Sequence, residues 1–140
     1  MSKRKKDIPE LIAAGEDSGR TRLRLTDPAL KAFFNLARIW ELSPAEQRRL
    51  LGGPSPATLR RWRRGEVQRI SPETLERISF LLGIYRAITT LIPYPARAAA
   101  WMRAPNHAPL FGGRSALDVL MSGRLDDLQA LRRYLDAQLV

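Results

Sequence analysis

Four arginines flank a single tryptophan in the segment SPATLRRWRRGE, residues 55–66. A guanidinium group forms two parallel hydrogen bonds with a phosphate or with the O6 and N7 atoms of guanine, so this composition suits contact with a nucleic acid. The same residues would also suit a solvated basic helix. The elements that position the segment are needed to choose between these interpretations.

Four helix starts are indicated by the segments TDPAL, SPAEQ, SPATL and SPETL. A serine, threonine or aspartate oxygen at the N-cap accepts a hydrogen bond from a free amide, and proline at the first helical position lacks an amide that would stay unpaired there. The four starts predict helices at about 28–41, 44–51, 56–65 and 72–91. Helical spacing of apolar residues supports the first and the last.

Proline ends the fourth helix at the segment IPYPA, residues 92–96, because it removes a backbone donor. A short helix near 95–103 and an irregular stretch follow. Ser115 is then expected to cap a helix with Asp118 in a capping-box variant, and a last helix is expected at 124–138 after Gly123. No strand alternation is sustained, so the predicted fold class is all-α.

The chain is expected to divide into three parts. Residues 1–25 would be a basic, flexible arm, residues 26–92 a DNA-binding unit and residues 93–140 a small second helical unit. The KRKK run in the arm would either follow DNA phosphates or the minor groove, or serve as a solvated tail.

The segments PAEQRRLL, GGPS and PATLRRWRRGE have the order of a helix-turn-helix, in which Gly52 caps the first helix and Gly53 and Pro54 form the corner. In this motif the second helix enters the major groove by its N-terminal half. Residues 45–70 carry seven arginines and two glutamates, a net charge of +5. This concentration of charge favours DNA binding over the solvated helix.

Helical spacing places Leu59 and Trp62 on one face, where we expect them to be buried. Three arginines and a small residue point the other way. Ala57 and Arg61 would lie nearest the base edges, with Arg60 and Arg64 aimed at flanking phosphates. The expected DNA-binding residues are Ser55, Ala57, Thr58, Arg60, Arg61 and Arg64.

Composition narrows the class of protein. The 140-residue chain has a net charge of +10 and a pI near 11.1, which favours an anionic partner, either a nucleic acid or a membrane surface. It has no cysteine, so it forms neither disulfides nor thiolate metal sites. Apolar runs fall short of the roughly 20 residues that span a bilayer. A cytoplasmic protein without a membrane partner is expected.

Enzyme chemistry finds little support. His107 is the single histidine, and PNHAP offers it no neighbouring cysteine, histidine or carboxylate at ligand spacing, so ordinary surface hydrogen bonds are expected. The glycine pair in LFGGRS follows no strand and fits no phosphate-binding pattern. We expect no catalytic residue, no cofactor and no bound metal.

A series of residues between 99 and 137 resembles the toxin-binding domain of the Xre/MbcA/ParS family of antitoxins. The upstream segment WELSPAEQRRLLGGPSPATLRRWRRGE is similar to the Xre-type helix-turn-helix that precedes this domain in the family. Ala116 departs from the family pattern, since many members carry proline there. The matching residues are Trp101, Met102, Pro105, Asn106, Leu110, Phe111, Gly112, Gly113, Leu117, Leu120, Gly123, Leu128, Leu131 and Tyr134.

The resemblance implies a type II antitoxin that neutralises a RES-domain toxin, an enzyme that destroys NAD, and that represses its own operon by binding operator DNA. A homodimer within a toxin-antitoxin complex is expected. The alternative is a stand-alone helix-turn-helix regulator whose C-terminal unit senses a ligand or dimerises. A gene for a small NAD-degrading enzyme next to this one would favour the antitoxin.

The resemblance also implies that the C-terminal region covers the entrance to the toxin active site. Trp101 and Phe111 are expected in the small core of this unit, so the contacts are sought on the outer face of the last helix. A competing hypothesis is that its two terminal residues complete the core. The expected toxin-binding residues are Arg132, Arg133, Asp136, Gln138, Leu139 and Val140.

Overall fold

The computed structural model describes residues 19–67 and 69–140, with side chains from Pro28 onward. These residues contain helices and no strand, which confirms the all-α fold class. In chain order the helices are α1 (Gly19–Ile39), α2 (Pro44–Leu50), α3 (Pro56–Arg63), α4 (Pro72–Leu91), α5 (Pro95–Trp101), α6 (Ala116–Leu120) and α7 (Leu125–Gln138).

The start of α1 is the helix boundary that differs most from the prediction, whereas the predicted ends at 41, 65 and 103 differ by two residues from the observed ends. The helix begins at Gly19 rather than near Pro28, and Pro28 lies inside it. The TDP segment is therefore not an N-cap, because the residues before it already continue the helix and contain no proline. Residues 1–18 of the predicted arm lie outside the described residues, and residues 19–25 belong to α1.

Serine caps define the other predicted starts. Ser43, Ser55 and Ser71 each accept a hydrogen bond from the amide three residues ahead, and proline follows each of them. Ser115 does the same, and the Asp118 carboxylate accepts from the Ser115 amide to complete the expected capping box. Local chemistry of this kind fixes a helix start without help from distant residues.

Helix α4 occupies the centre of the molecule. It packs against α1 on one side and along α7 on another, and α5 packs near its C-terminal end. Its buried residues belong to one continuous core that also contains Phe33 of α1 and Leu131 of α7. The helix-turn-helix and the C-terminal helices are therefore held by a single hydrophobic core.

A buried arginine ties α2 to α4. Arg77 is only 7% exposed. Its Nε donates to Glu73 Oε2 at 3.0 Å, and its Nη1 donates to the Leu50 carbonyl at 3.4 Å. The guanidinium also lies against Gly52, whose φ of +97° favours glycine. The corner of the helix-turn-helix is thereby fixed to the central helix.

Two further arginines join the halves of the chain through backbone carbonyls. Arg103 Nη2 donates to the carbonyls of Trp40, at 3.1 Å, and Glu41, at 2.9 Å. Arg49 Nε donates to the Met121 carbonyl at 2.7 Å. These bonds satisfy carbonyls that follow α1 and α6, where no helical donor is available.

Replacement of Leu131 by alanine should destabilise the whole chain. Leu131 is fully buried in the single core, and such a truncation costs about 2 to 5 kcal/mol. Urea denaturation followed by circular dichroism should show one transition at a lower urea concentration. Arg133→Ala, at an exposed position of the same helix, should leave the midpoint nearly unchanged. Two separate transitions, only one of them shifted, would contradict a shared core.

Candidate DNA-binding surface and C-terminal helix surface

The corner between α2 and α3 has the predicted helix-turn-helix geometry. Gly52 and Gly53 both have positive φ, and the Gly53 amide donates to the Arg48 carbonyl at 2.8 Å. Arg48 Nε in turn donates to the Pro54 carbonyl at 2.7 Å. The backbone reversal and the arginine together set the direction in which α3 leaves the corner.

The inner face of α3 is only partly as predicted. Leu59 is buried at 2% exposure, which confirms its core position. Trp62 is half-buried and packs on the edge of the core, so the expectation that it is buried is wrong. Trp62 lies near the C-terminal end of α3, beside Gly65 and Val67. This position explains why its indole is only half-buried.

Arg63 makes contacts within the protein rather than facing outward. Its Nη2 donates to Gln47 Oε1 at 2.7 Å, and its guanidinium lies 5.3 Å from the centre of the Phe34 ring. Gln47 is itself buried and donates to the Leu42 carbonyl at 2.9 Å. One arginine of the RRWRR run therefore anchors α3 to α2 and α1.

The other predicted DNA-binding residues lie together on α3 and at its cap. Ala57 and the three arginines 60, 61 and 64 are exposed. Arg61 Nη2 donates to Thr58 Oγ1 at 3.2 Å, and the Ser55 hydroxyl donates to the same oxygen at 3.0 Å. The structure thus presents a basic surface whose first turn is ordered by hydroxyl groups.

Glu66 is a residue of this surface to which the sequence pattern assigned no role. Its carboxylate accepts two hydrogen bonds from Arg64, from Nε at 3.1 Å and from Nη2 at 3.2 Å. The hydrogen bonds and the charge of Arg64 lower the pKa of the Glu66 carboxyl, and the same bonds raise the pKa of Arg64. The sequence carried a signal for this contact, because a glutamate follows Arg64 by two residues with a glycine between them.

The outer face of α7 and the two residues after it carry the predicted toxin-binding residues other than Arg132. Arg133, Asp136 and Gln138 are exposed. Leu139 is 44% exposed and Val140 fully exposed, so neither terminal residue completes the core. The helix is held by Leu128, Leu131 and Leu135, which are all buried.

Arg132 does not lie on the outer face as expected. Its guanidinium crosses to α4 and covers Gly83, where a Cβ atom would overlap it. Its Nε also pairs with Asp136 Oδ2 at 3.2 Å. Long-range packing of α7 along α4 determines this position, and the spacing within α7 contains no sign of it.

The irregular stretch before α6 is ordered by its own backbone. The Gly113 amide donates to the Asn106 carbonyl at 2.8 Å, and the Asn106 amide donates to the Arg114 carbonyl at 3.1 Å. Phe111 is fully buried and makes edge contacts with Trp101 and Tyr134. The core position expected for Phe111 is confirmed, and Trp101 is half-buried.

No group of three histidine, aspartate or glutamate residues in the described parts of the chain is arranged to hold a metal ion. His107 is exposed in the irregular stretch. Among the helices described here, none has the length and apolar character to cross a membrane.

Two family models match the chain. Residues 28–83 match the antitoxin Xre-like helix-turn-helix domain, and residues 88–138 match the antitoxin Xre/MbcA/ParS C-terminal toxin-binding domain. The chain belongs to the Xre/MbcA/ParS family of antitoxins. The antitoxin thus combines a DNA-binding unit with a toxin-binding unit, and the two matches meet within α4.

The antitoxin is also similar to a protein of Sinorhizobium fredii (strain NBRC 101917 / NGR234) that carries the name uncharacterized protein y4oB. The two are 40% identical over 109 residues, which make up 78% of the antitoxin and 82% of the relative. The similarity therefore extends over most of both chains.

Replacement of Trp62 by alanine should lower stability by less than the roughly 3 to 5 kcal/mol that a fully buried site costs. The reason is the half-burial of the indole at the edge of the core. Chemical denaturation measures the effect, and Leu59→Ala is the comparison at a buried position of the same helix. We expect the folded Trp62→Ala protein to bind DNA normally. A variant with unchanged stability and no DNA binding would show that Trp62 contacts DNA.

Proposed function

We propose that the antitoxin neutralises a RES-domain toxin that degrades NAD and that it represses its own operon as a complex with this toxin. The observation that carries the DNA and toxin contacts is a helix-turn-helix with three outward arginines on the same core as a toxin-binding domain. The RES class of the toxin is what the family resemblance implies. In this proposal residues 26–92 bind DNA, residues 93–140 bind the toxin, and basic residues of the segment 1–25 add phosphate contacts.

The DNA contact follows from the position of α3. Helix α3 enters the major groove with Ala57 and Arg61 towards the base edges and with Arg60 towards a flanking phosphate. The hydroxyl groups of Ser55 and Thr58 order the first turn. A homodimer would place two such helices about 34 Å apart, one turn of DNA, and would read an inverted repeat.

The toxin contact uses the free end of α7. Leu139 and Val140 supply exposed apolar anchors, with Gln138 beside them. Arg133 is exposed and suited to an acidic rim or to the space of the NAD phosphates. Arg132 and Asp136 form an ion pair at the edge of this surface. Seated over the active-site entrance, this end of α7 would exclude NAD.

A stand-alone regulator with a ligand site is the weaker alternative. An apolar cavity of about 270 Å³ lies between α1, α4 and α5, and Trp40, Tyr85 and Pro95 are among its lining residues. Small-molecule sites usually enclose roughly 300 to 1,000 Å³. The match to a toxin-binding domain over 88–138 favours the antitoxin.

Co-expression with the neighbouring gene tests the proposal. A RES-domain partner should co-purify with the antitoxin, and cellular NAD should fall when the partner is expressed alone. A partner of another class, or unchanged NAD, would exclude the RES toxin while leaving the antitoxin assignment intact.

Replacement of arginines 60, 61 and 64 by glutamine should abolish binding to the DNA upstream of the gene. The slope of log affinity against log salt should also fall by about one unit for each phosphate that is no longer neutralised. Fluorescence anisotropy over a salt series measures both quantities. A triple variant with glutamine at the exposed arginines 86, 97 and 133 removes the same three charges away from α3, so it is the control for net charge and should change neither quantity appreciably. Unchanged affinity in the triple variant would remove α3 from the interface.

Removal of residues 138–140 should abolish neutralisation while leaving the fold and DNA binding intact. The cut lies beyond Leu135, the last buried residue of α7, and beyond the Arg132 to Asp136 ion pair. Growth of cells that express the toxin measures neutralisation, and circular dichroism checks the fold. Full protection by the shortened antitoxin would move the toxin contact to another surface, such as the stretch 106–113.

A further inference from the structure

Arg64 differs from its two neighbours on the DNA-binding surface because a carboxylate already holds it. Glu66 accepts from its Nε and from one hydrogen of its Nη2, so the side edge of the guanidinium is taken. The opposite edge, formed by Nη1 and the remaining Nη2 hydrogen, stays available. A guanidinium presents five N–H donors, and this free edge still forms two parallel hydrogen bonds.

The backbone holds Glu66 in place for this contact. Gly65 has a φ of +85° and donates its amide to the Trp62 carbonyl at 3.0 Å. The Glu66 amide donates to the Arg61 carbonyl at 2.9 Å. The chain therefore reverses at the end of α3 and places the carboxylate beside Arg64 in the absence of DNA.

Charge makes the paired Arg64 poorly suited to a phosphate. The Glu66 carboxylate neutralises the guanidinium locally, and its negative charge would repel a DNA phosphate that approached Arg64. Glu66 is ionised at neutral pH, because the ordinary pKa of a glutamate already lies well below 7 and Arg64 lowers it further. A base edge carries no net charge and avoids this repulsion. The O6 and N7 atoms of guanine match the free edge of the guanidinium.

We propose that Glu66 is a specificity-determining residue, which orients Arg64 so that its free edge reads a guanine in the major groove. This inference rests on the proposed entry of α3 into that groove, and it changes the role of Arg64 from phosphate contact to base contact. Arg64 follows Ala57 by about 10 Å along the helix axis, at 1.5 Å per residue.

Selection from a library of random duplex DNA tests this assignment without knowledge of the operator. The intact antitoxin, alone and in complex with its toxin, is used to select sequences, and the selection is repeated with Glu66→Gln and Arg64→Lys. Lysine keeps the charge of Arg64 but lacks the planar fork. Both variants should weaken the preference for guanine at the same position, by roughly five-fold or more. The salt dependence with Arg64→Lys should stay as in the wild type.

Asp127→Asn is the matched control, because it removes one negative charge and one arginine-carboxylate pair, with Arg124, at the first turn of α7. It should keep every base preference. The double variant Glu66→Gln with Arg64→Lys should reduce the preference no further than either single variant, since the two residues act as one unit.

Three results would overturn the inference: an intact guanine preference with Arg64→Lys, a weakened preference with Arg64→Lys but not with Glu66→Gln, or an equal weakening with Asp127→Asn. A failure of autoregulation is distinguishable, because a library would still yield a preferred sequence while the DNA upstream of the gene would not bind.

Discussion

Burial of α4 on more than one side is the constraint on which the rest of the structure depends. Helices α2 and α3 have seven and eight residues, and isolated helices shorter than about 12 to 15 residues are marginal in water. They persist because Leu50, Leu51 and Leu59 reach the core built around α4. The same helix supports α7, so the DNA-binding and toxin-binding units are stabilised by the same buried surface.

Arginine serves two purposes in this antitoxin. Arg48, Arg49 and Arg103 donate to backbone carbonyls at turns and helix ends, and Arg77 does so from a buried position. The exposed arginines 60, 61 and 64 on α3 are the ones proposed to contact DNA. The high net charge is therefore a poor measure of how many residues contact DNA, because part of it replaces the hydrogen bonds that short helices lack at their ends.

Most helix starts were predicted correctly from the sequence, because the capping residues next to each start determine it. Serine before proline located three helix starts, and the Ser115 and Asp118 pair located α6. Features set by distant packing could not be read in this way. The position of Arg132 against α4 depends on Gly83, a distant neighbour that no short segment specifies. The contact between Glu66 and Arg64 could have been predicted from the sequence, but Glu66 was considered only as one negative charge in the net charge of its segment.

The two family matches meet inside α4, and this limits how members of the family can exchange their DNA-binding and toxin-binding units. The first match ends at residue 83 and the second begins at residue 88, in the middle of a continuous helix. Recombination there would combine the first part of α4 from one parent with α7 from another. The Arg132 guanidinium of α7 lies over Gly83 of α4, and any larger residue at position 83 would force it to move. Under the roles proposed for α3 and α7, new combinations of DNA and toxin specificity should therefore arise through point changes on their exposed faces more readily than through shuffling of whole units.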